Sequence, residues 1–459
     1  MKKNPAVSPL MDTLSTYIAR AGRRAPPAAV VARARLHVLD TFAAMVSGTR
    51  LLPGEQAIGY VKALGGKPEA GLIGTRIVTT AAHAALANGM FGHADETDDT
   101  HPPSQTHPGT SVVPAALAIG ERSGASGKAV LRAIILGYDI CSRLMLTFKP
   151  QPFMRSGHHS CAFGQLFGAA AAAASLLDLD ARQVRYVLSY AAQQAAGLYT
   201  NFRDRDHIEK AYMMGGMPAH NGAQAALMVA HGWTGVDDVF SGERDFFYTF
   251  EPEPGSADPK QLVRGLGTDY EIMRASIKRW AVGGPIQGPL HVLRDLMQTH
   301  RFTADDVVKL VARLPDKELE IVNNRDMTDI SVQHLLAVML IDGGITFASA
   351  HDSARAKDRR VLAVRKRIEA VGDPKLTDPQ RRWRAVIDVT LKDGRRLTHQ
   401  TMAAKGMFEN PLSPEEENEK ALDLIAPVLG KRRASTLMTA LWKIDALDDV
   451  RALRRLYQA

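Results

Sequence analysis

The chain has 459 residues, 45% hydrophobic and 23% charged, which excludes a disordered protein and gives room for roughly two or three domains. A net charge of +8 raises nucleic acid as a partner. The basic residues are scattered, however, the groups at 355–367 and 431–433 are diluted by acids, and aromatic residues at 6% offer few stacking platforms, so nucleic acid is not expected. Two cysteines, Cys141 and Cys161, cannot make a disulfide framework or a four-thiolate cluster. No apolar run reaches the eighteen or so residues of a membrane helix, and the opening MKKNPAVSPLMDTL has no apolar signal segment. The expectation is a cytoplasmic protein without a membrane partner.

In chain order, AAHAALANGMFGHA (81–94) predicts a helix, followed by a polar loop. The spacing of Val130, Leu131, Ile134, Ile135 and Tyr138 predicts a helix over 126–144 behind an N-cap at Ser126. FGAAAAAASLL (167–177) reads as a helix whose small side chains permit close packing, and the helical body is expected to bury a large, alanine-lined dimer interface. Asp180 and Gln183 form a capping box opening a helix through 198. Gly215-Gly216 and Gly283-Gly284 are turns or helix starts, and a helix N-terminus is a ready carboxylate site. Strand-like alternation is scarce before residue 300. It then occurs at 307–315 and 381–401, where Ile387, Val389 and Leu391 alternate with polar neighbours and Asp393-Gly394 marks a hairpin turn. Residues 410–430 return to helix, with Ser413 as N-cap and Pro414 at the first position. The fold class is therefore mainly α, with a helical body over 1–274, a mixed α/β insert over 275–404 and a helical tail over 405–459.

The densest chemistry is HADETDDTHPPSQTHPG, residues 93–109, with three histidines, three aspartates and a glutamate. His93, Asp95, Asp99, His101 and His107 are all possible metal ligands, but their spacing matches no strong metal signature. The plain alternative is a helix C-terminus and a polar exit loop. The third reading is acid/base chemistry, in which carboxylates fix the tautomer of neighbouring histidines and raise their pKa.

Several stretches resemble one family. ETDDTH, THPG and the run 111–144 are similar to the helical signature of the MmgE/PrpD family, as are 156–180, 220–235, 276–284 and 410–420. That family includes 2-methylcitrate dehydratase, cis-aconitate decarboxylase and an iminodisuccinate epimerase. The resemblance implies a large helical domain from both chain ends, a smaller α/β lid, a homodimer, a catalytic cleft between body and lid, and no metal or organic cofactor.

It also implies catalytic roles for His107, His159, Lys278 and Asp99. Substrate-binding roles fall to Asp95, Glu96, Thr100, His101, Lys210 and Arg325. His107 and His159 would be the proton carriers, with Asp95, Glu96 and Asp99 orienting His107. The lysines, with Arg325, would stabilise an enolate-like intermediate. Taken alone, His159 also reads as a histidine capping its helix, and Lys210 and Lys278 as surface lysines. The pattern departs in places: Ser160 stands for a proline, His158 for a phenylalanine, and Glu96 for an aspartate. Lys210 sits one residue early, Met214 holds a histidine position, and AVGGPIQG lacks a cysteine often found there. The resulting expectation is a cofactor-independent dehydratase of a small hydroxy-di- or tricarboxylate. Decarboxylation or epimerisation is the alternative within the family. A metal-dependent hydrolase using the Asp/His cluster and a non-catalytic binding protein are the competing classes.

Overall fold

The computed structural model describes residues 7–378 and 382–459. The first six residues of the opening stretch, and residue 381 at the head of the expected strand run, lie outside the described residues. The fold is mainly α with small sheets, and no described helix is long and apolar enough to cross a membrane. It divides into two compact units, Met1–Ala275 with Leu424–Ala459, and Ser276–Asp423.

Small side chains set the geometry of the first unit. The alanine-rich helix Ser160–Leu176 packs against the helices Gly127–Phe148 and Met217–Ala230, and Ala169 to Ala174 are all buried. These alanines serve the close helix packing expected of them inside the unit. Ser126 caps Gly127–Phe148 through the Ala129 amide, and Asp180 and Gln183 form the expected capping box. The helix that this box opens stops at Gln193, short of 198, and the chain turns back so that the Gly197 carbonyl accepts from the His159 amide. The C-terminal segment is tied in by the buried carboxylate of Glu121. It accepts from Tyr457 Oη at 2.5 Å, Arg454 Nε at 2.6 Å and the Gly71 amide at 2.9 Å. Gly71 belongs to a two-residue antiparallel pairing, Ala70–Gly71 with Val78–Thr79, too short to show as alternation in the sequence.

One close approach places the site. The helix Ala81–Gly92 crosses a π-helical turn, Tyr212–Gly216, at Gly89 and Gly215. A Cβ on Gly215 would stand 2.1 Å from the Gly89 carbonyl oxygen, and one on Gly89 2.5 Å from that of Gly215. Both obstacles are backbone and cannot swing aside. Gly215→Ala is therefore expected to cost about 1–3 kcal/mol or more through overpacking. Chemical denaturation checks this, and an unchanged midpoint would refute the close fit.

The second unit carries a four-stranded sheet in the order Ile368–Gly372, Val307–Leu314, Ala385–Leu391, Arg396–Thr401. The first pair is parallel and the other two are antiparallel. Ile387, Val389 and Leu391 face inward as expected, and Gly394 takes a positive φ in the hairpin turn. The strand Ile368–Gly372 was not legible, because it follows a basic helix, Arg359–Arg365, within a run that reads as surface charge. Ser413 and Glu416 cap the helix Pro414–Leu429 reciprocally. This compact unit extends to Asp423, past the expected end of the insert at 404. Ile277 donates to the Gly406 carbonyl, Glu416 pairs with Lys405 and Arg279, and Asp423 accepts from the Phe347 amide.

Candidate active site

The helix Ala81–Gly92 begins on a Thr80 cap and ends at His93, which points the acidic loop inward from its first residue. The loop folds on itself through paired backbone bonds between His101 and Thr106. Asp95 accepts from the Thr97 amide and hydroxyl, and Thr100 Oγ1 donates to the Thr106 carbonyl. His101 is held between Ser104 Oγ at 2.7 Å and Glu271 Oε2 at 3.2 Å. Burial alone would raise the Glu271 pKa, but His101 and Arg274 outweigh it and hold the carboxyl at about 2. His101 and Thr100 therefore brace the loop.

Neighbouring aspartates divide the work. Asp99 is fully buried and accepts from Tyr138 Oη at 2.6 Å and the Gly109 amide at 3.1 Å, with His37 Nδ1 at 2.8 Å. The Tyr138 hydroxyl is pushed well above its ordinary pKa, first by burial and then by this charge. Asp99 thus anchors the loop through His37, Tyr138 and the Gly109 amide. The carboxylate on His107 is Asp98, with Oδ2 2.7 Å from His107 Nδ1 and 3.1 Å from His93 Nδ1. The His107 amide donates to Gln165, whose own amide reaches Thr110, Ser111 and the Met214 carbonyl. The alanine-rich helix thereby clamps the loop to the π-turn.

His159 is the N-cap of that helix, its Nδ1 accepting from the Cys161 amide at 3.3 Å. Its ring stacks on Tyr199 and Phe202. Burial, then the charges of His107 and Lys210, lower its pKa to about 3. It is neutral at pH 7, and the Cys161 bond assigns the proton to Nε2. His158 instead sits among Phe153, Phe163 and Phe250. Lys210 pairs with Glu96 and lies over the Phe202 ring, so it reaches the acidic loop despite its displaced position.

Sequence reasoning missed two residues, Asp98 and His207. His207 is buried with its ring 5.3 Å from His93, and burial followed by the Lys210 charge lowers its pKa to about 3. Its one visible oddity is structural, a left-handed φ of 61° at the start of the helix Ile208–Ala211. Met214 offers only its carbonyl and a sulfur 3.9 Å from Asn201 Nδ2. Gly215 and Gly216 lie within the π-turn of a helical run that continues into Met217–Ala230, so no free helix start exists there. Possible ligand atoms of His93, Asp98 and His107 lie within 4.8 Å of one another, as do those of His93, Glu96 and His207. Of the metal set expected from sequence, only His93 and His107 belong to these groups.

Two expected residues fall in the second unit. Lys278 is 2% exposed, between Ile277 and an Arg279 whose amide donates to Gln287. Arg325 is exposed, beyond the helix Asp316–Val322. The start of the helix Gly284–His300 is packed against Trp383, whose indole a Cβ on Gly284 would strike at 2.6 Å.

The mainly helical unit thus gathers four imidazoles, of His93, His107, His159 and His207, with the carboxylates of Asp95, Glu96 and Asp98 and the Lys210 ammonium. The chain belongs to the MmgE/PrpD family, matching its N-terminal domain over residues 12–256 and its C-terminal domain over residues 280–444. It is similar to cis-aconitate decarboxylase of Mus musculus, 26% identical over 82% of this chain and 78% of the relative. The Homo sapiens cis-aconitate decarboxylase is 26% identical over 93% and 90%. A cis-aconitate decarboxylase-like protein of Aspergillus oryzae is 24% identical over 93% and 92%. Together these support an enzyme of lyase type.

Proposed function

We propose that the protein is a cofactor-independent lyase, working as a homodimer, that moves a proton at a carbon next to a carboxylate of a small polycarboxylate. The observation that carries this reading is the His107–Asp98 pair beside the neutral His159 and the Lys210–Glu96 pair. The Asp98 bond fixes the proton on His107 Nδ1 and leaves Nε2 to exchange a proton with substrate, a contribution of roughly 10²–10⁴-fold. Lys278, assigned by its family match, offsets negative charge on the enolate-like intermediate, about 3 kcal/mol for one such donor, while Lys210 offers its charge to a substrate carboxylate.

Decarboxylation is favoured among the outcomes. It needs one proton carrier, because carbon dioxide leaves without assistance, and it is the reaction named for the relatives. Dehydration, expected from sequence, needs an acid for the departing hydroxide, and a buried histidine with a pKa of about 3 is poorly suited to that task. Epimerisation would need a second carrier on the opposite face, or a substrate that turns over between loss and return of the proton. A panel of unsaturated and hydroxylated di- and tricarboxylates, followed by carbon-13 NMR for released carbon dioxide and by ultraviolet absorbance for new double bonds, separates the three. No reaction with any member would overturn the proposal. Activity is expected to survive exhaustive chelation, and a strict requirement for added zinc, manganese or iron would favour the hydrolase class instead. Light scattering at micromolar concentration is expected to report a dimer.

A further inference from the structure

Two observations converge on His93. Its imidazole is fully buried, yet neither ring nitrogen makes a hydrogen bond among the described residues. Nδ1 is 3.1 Å from Asp98 Oδ2 but out of line with it. A buried polar nitrogen without a partner costs about 1–3 kcal/mol. The second observation is the donor set around it. The Asp98 oxygen stands 2.7 Å and 3.1 Å from the Nδ1 atoms of His107 and His93. Ligands at zinc's tetrahedral angle, on bonds of about 2.1 Å, stand about 3.4 Å apart, so shifts of a few tenths of an ångström would seat an ion between these atoms. Two imidazoles and a carboxylate are a set that zinc and its neighbours accept.

We propose that His93, Asp98 and His107 form a binding site for a divalent ion of the zinc class, and that the bound ion inhibits the enzyme. The inhibitory part rests on His107 being the proton carrier. Coordination uses a lone pair of each imidazole, and the proton shared between His107 and Asp98 leaves to solvent. The metal-bound His107 then no longer exchanges a proton near neutral pH, and Asp98 no longer orients it. The overlapping group of His93, Glu96 and His207 is less suited, because Glu96 already faces the Lys210 ammonium, which would repel the ion.

Purified full-length protein, stripped with chelator, would be titrated with Zn²⁺ by calorimetry and with Co²⁺ by visible absorption. The expected result is one ion per chain, with a Co²⁺ spectrum showing imidazole coordination. His93→Gln and Asp98→Asn should each weaken binding by at least about tenfold, while His207→Gln keeps it. Circular dichroism melting of each variant identifies any that fails to fold, and the remaining one then decides. Absence of saturable binding at micromolar Zn²⁺ would overturn the site. So would loss of binding in His207→Gln with retention in Asp98→Asn. Turnover that continues with the site saturated would overturn the inhibition. The two readings fail separately: zinc bound at these residues in a protein inert toward every polycarboxylate leaves the metal site standing and removes the lyase. Chelator-resistant turnover without zinc binding does the reverse.

Discussion

His107→Asn is expected to lower kcat by at least about 10²-fold, near 2.7 kcal/mol of barrier, with the fold intact. The side chain is 18% exposed and its Nδ1 is bonded to Asp98, so asparagine can still donate an amide hydrogen to that carboxylate. What asparagine cannot do is take up and release a proton near neutral pH. A variant that keeps more than about a tenth of the wild-type kcat would remove His107 from the chemistry. His159→Asn should also impair turnover while folding normally, since asparagine is a good N-cap for the helix that His159 now opens. His158→Asn offers the contrast. It inserts a polar group among three phenylalanines, so its cost should appear in the melting temperature and little in kcat.

Lys278→Met is expected to reduce kcat strongly and change KM little. Negative charge accumulates on the substrate only as its bond breaks, and a cation used at that moment acts on the transition state alone. Lys210→Met should behave differently. It strands the Glu96 carboxylate beside the acidic loop and removes a charge available to the ground-state substrate, so KM should rise first. Steady-state kinetics on both variants, with melting curves to exclude misfolding, decide the matter. The opposite split, with binding lost in Lys278→Met and chemistry lost in Lys210→Met, would exchange the two roles.

The fold was readable where one interaction range dominated. The caps at Ser126, Asp180 and Ser413, and the inward alternation of Ile387, Val389 and Leu391, are local signals that tertiary contacts reinforce. Strand Ile368–Gly372 was not readable, because its pairing with Val307–Leu314 is parallel and remote in sequence. The same distinction runs through the site. The loop at 93–109 and His107 stood out by composition, yet which carboxylate meets which histidine depends on how an irregular loop turns. That assignment went to Asp98 rather than Asp99 only in three dimensions. His207 lies in DRDHIEK, where nothing but a backbone angle distinguishes it from a surface histidine.

Asp98 and Asp99 are adjacent in the chain, yet one faces His107 and His93 while the other binds His37, Tyr138 and Gly109 inside the helical packing. Under the proposed function, reactivity and anchorage sit on consecutive residues and can be altered independently. A library randomised at 96 and 98 should contain many folded proteins with altered rates or altered product ratios, whereas randomising 99 should return chiefly insoluble ones. Such an arrangement makes the loop evolvable. Selection can explore new outcomes for a carbanion at one position while its neighbour keeps the scaffold standing.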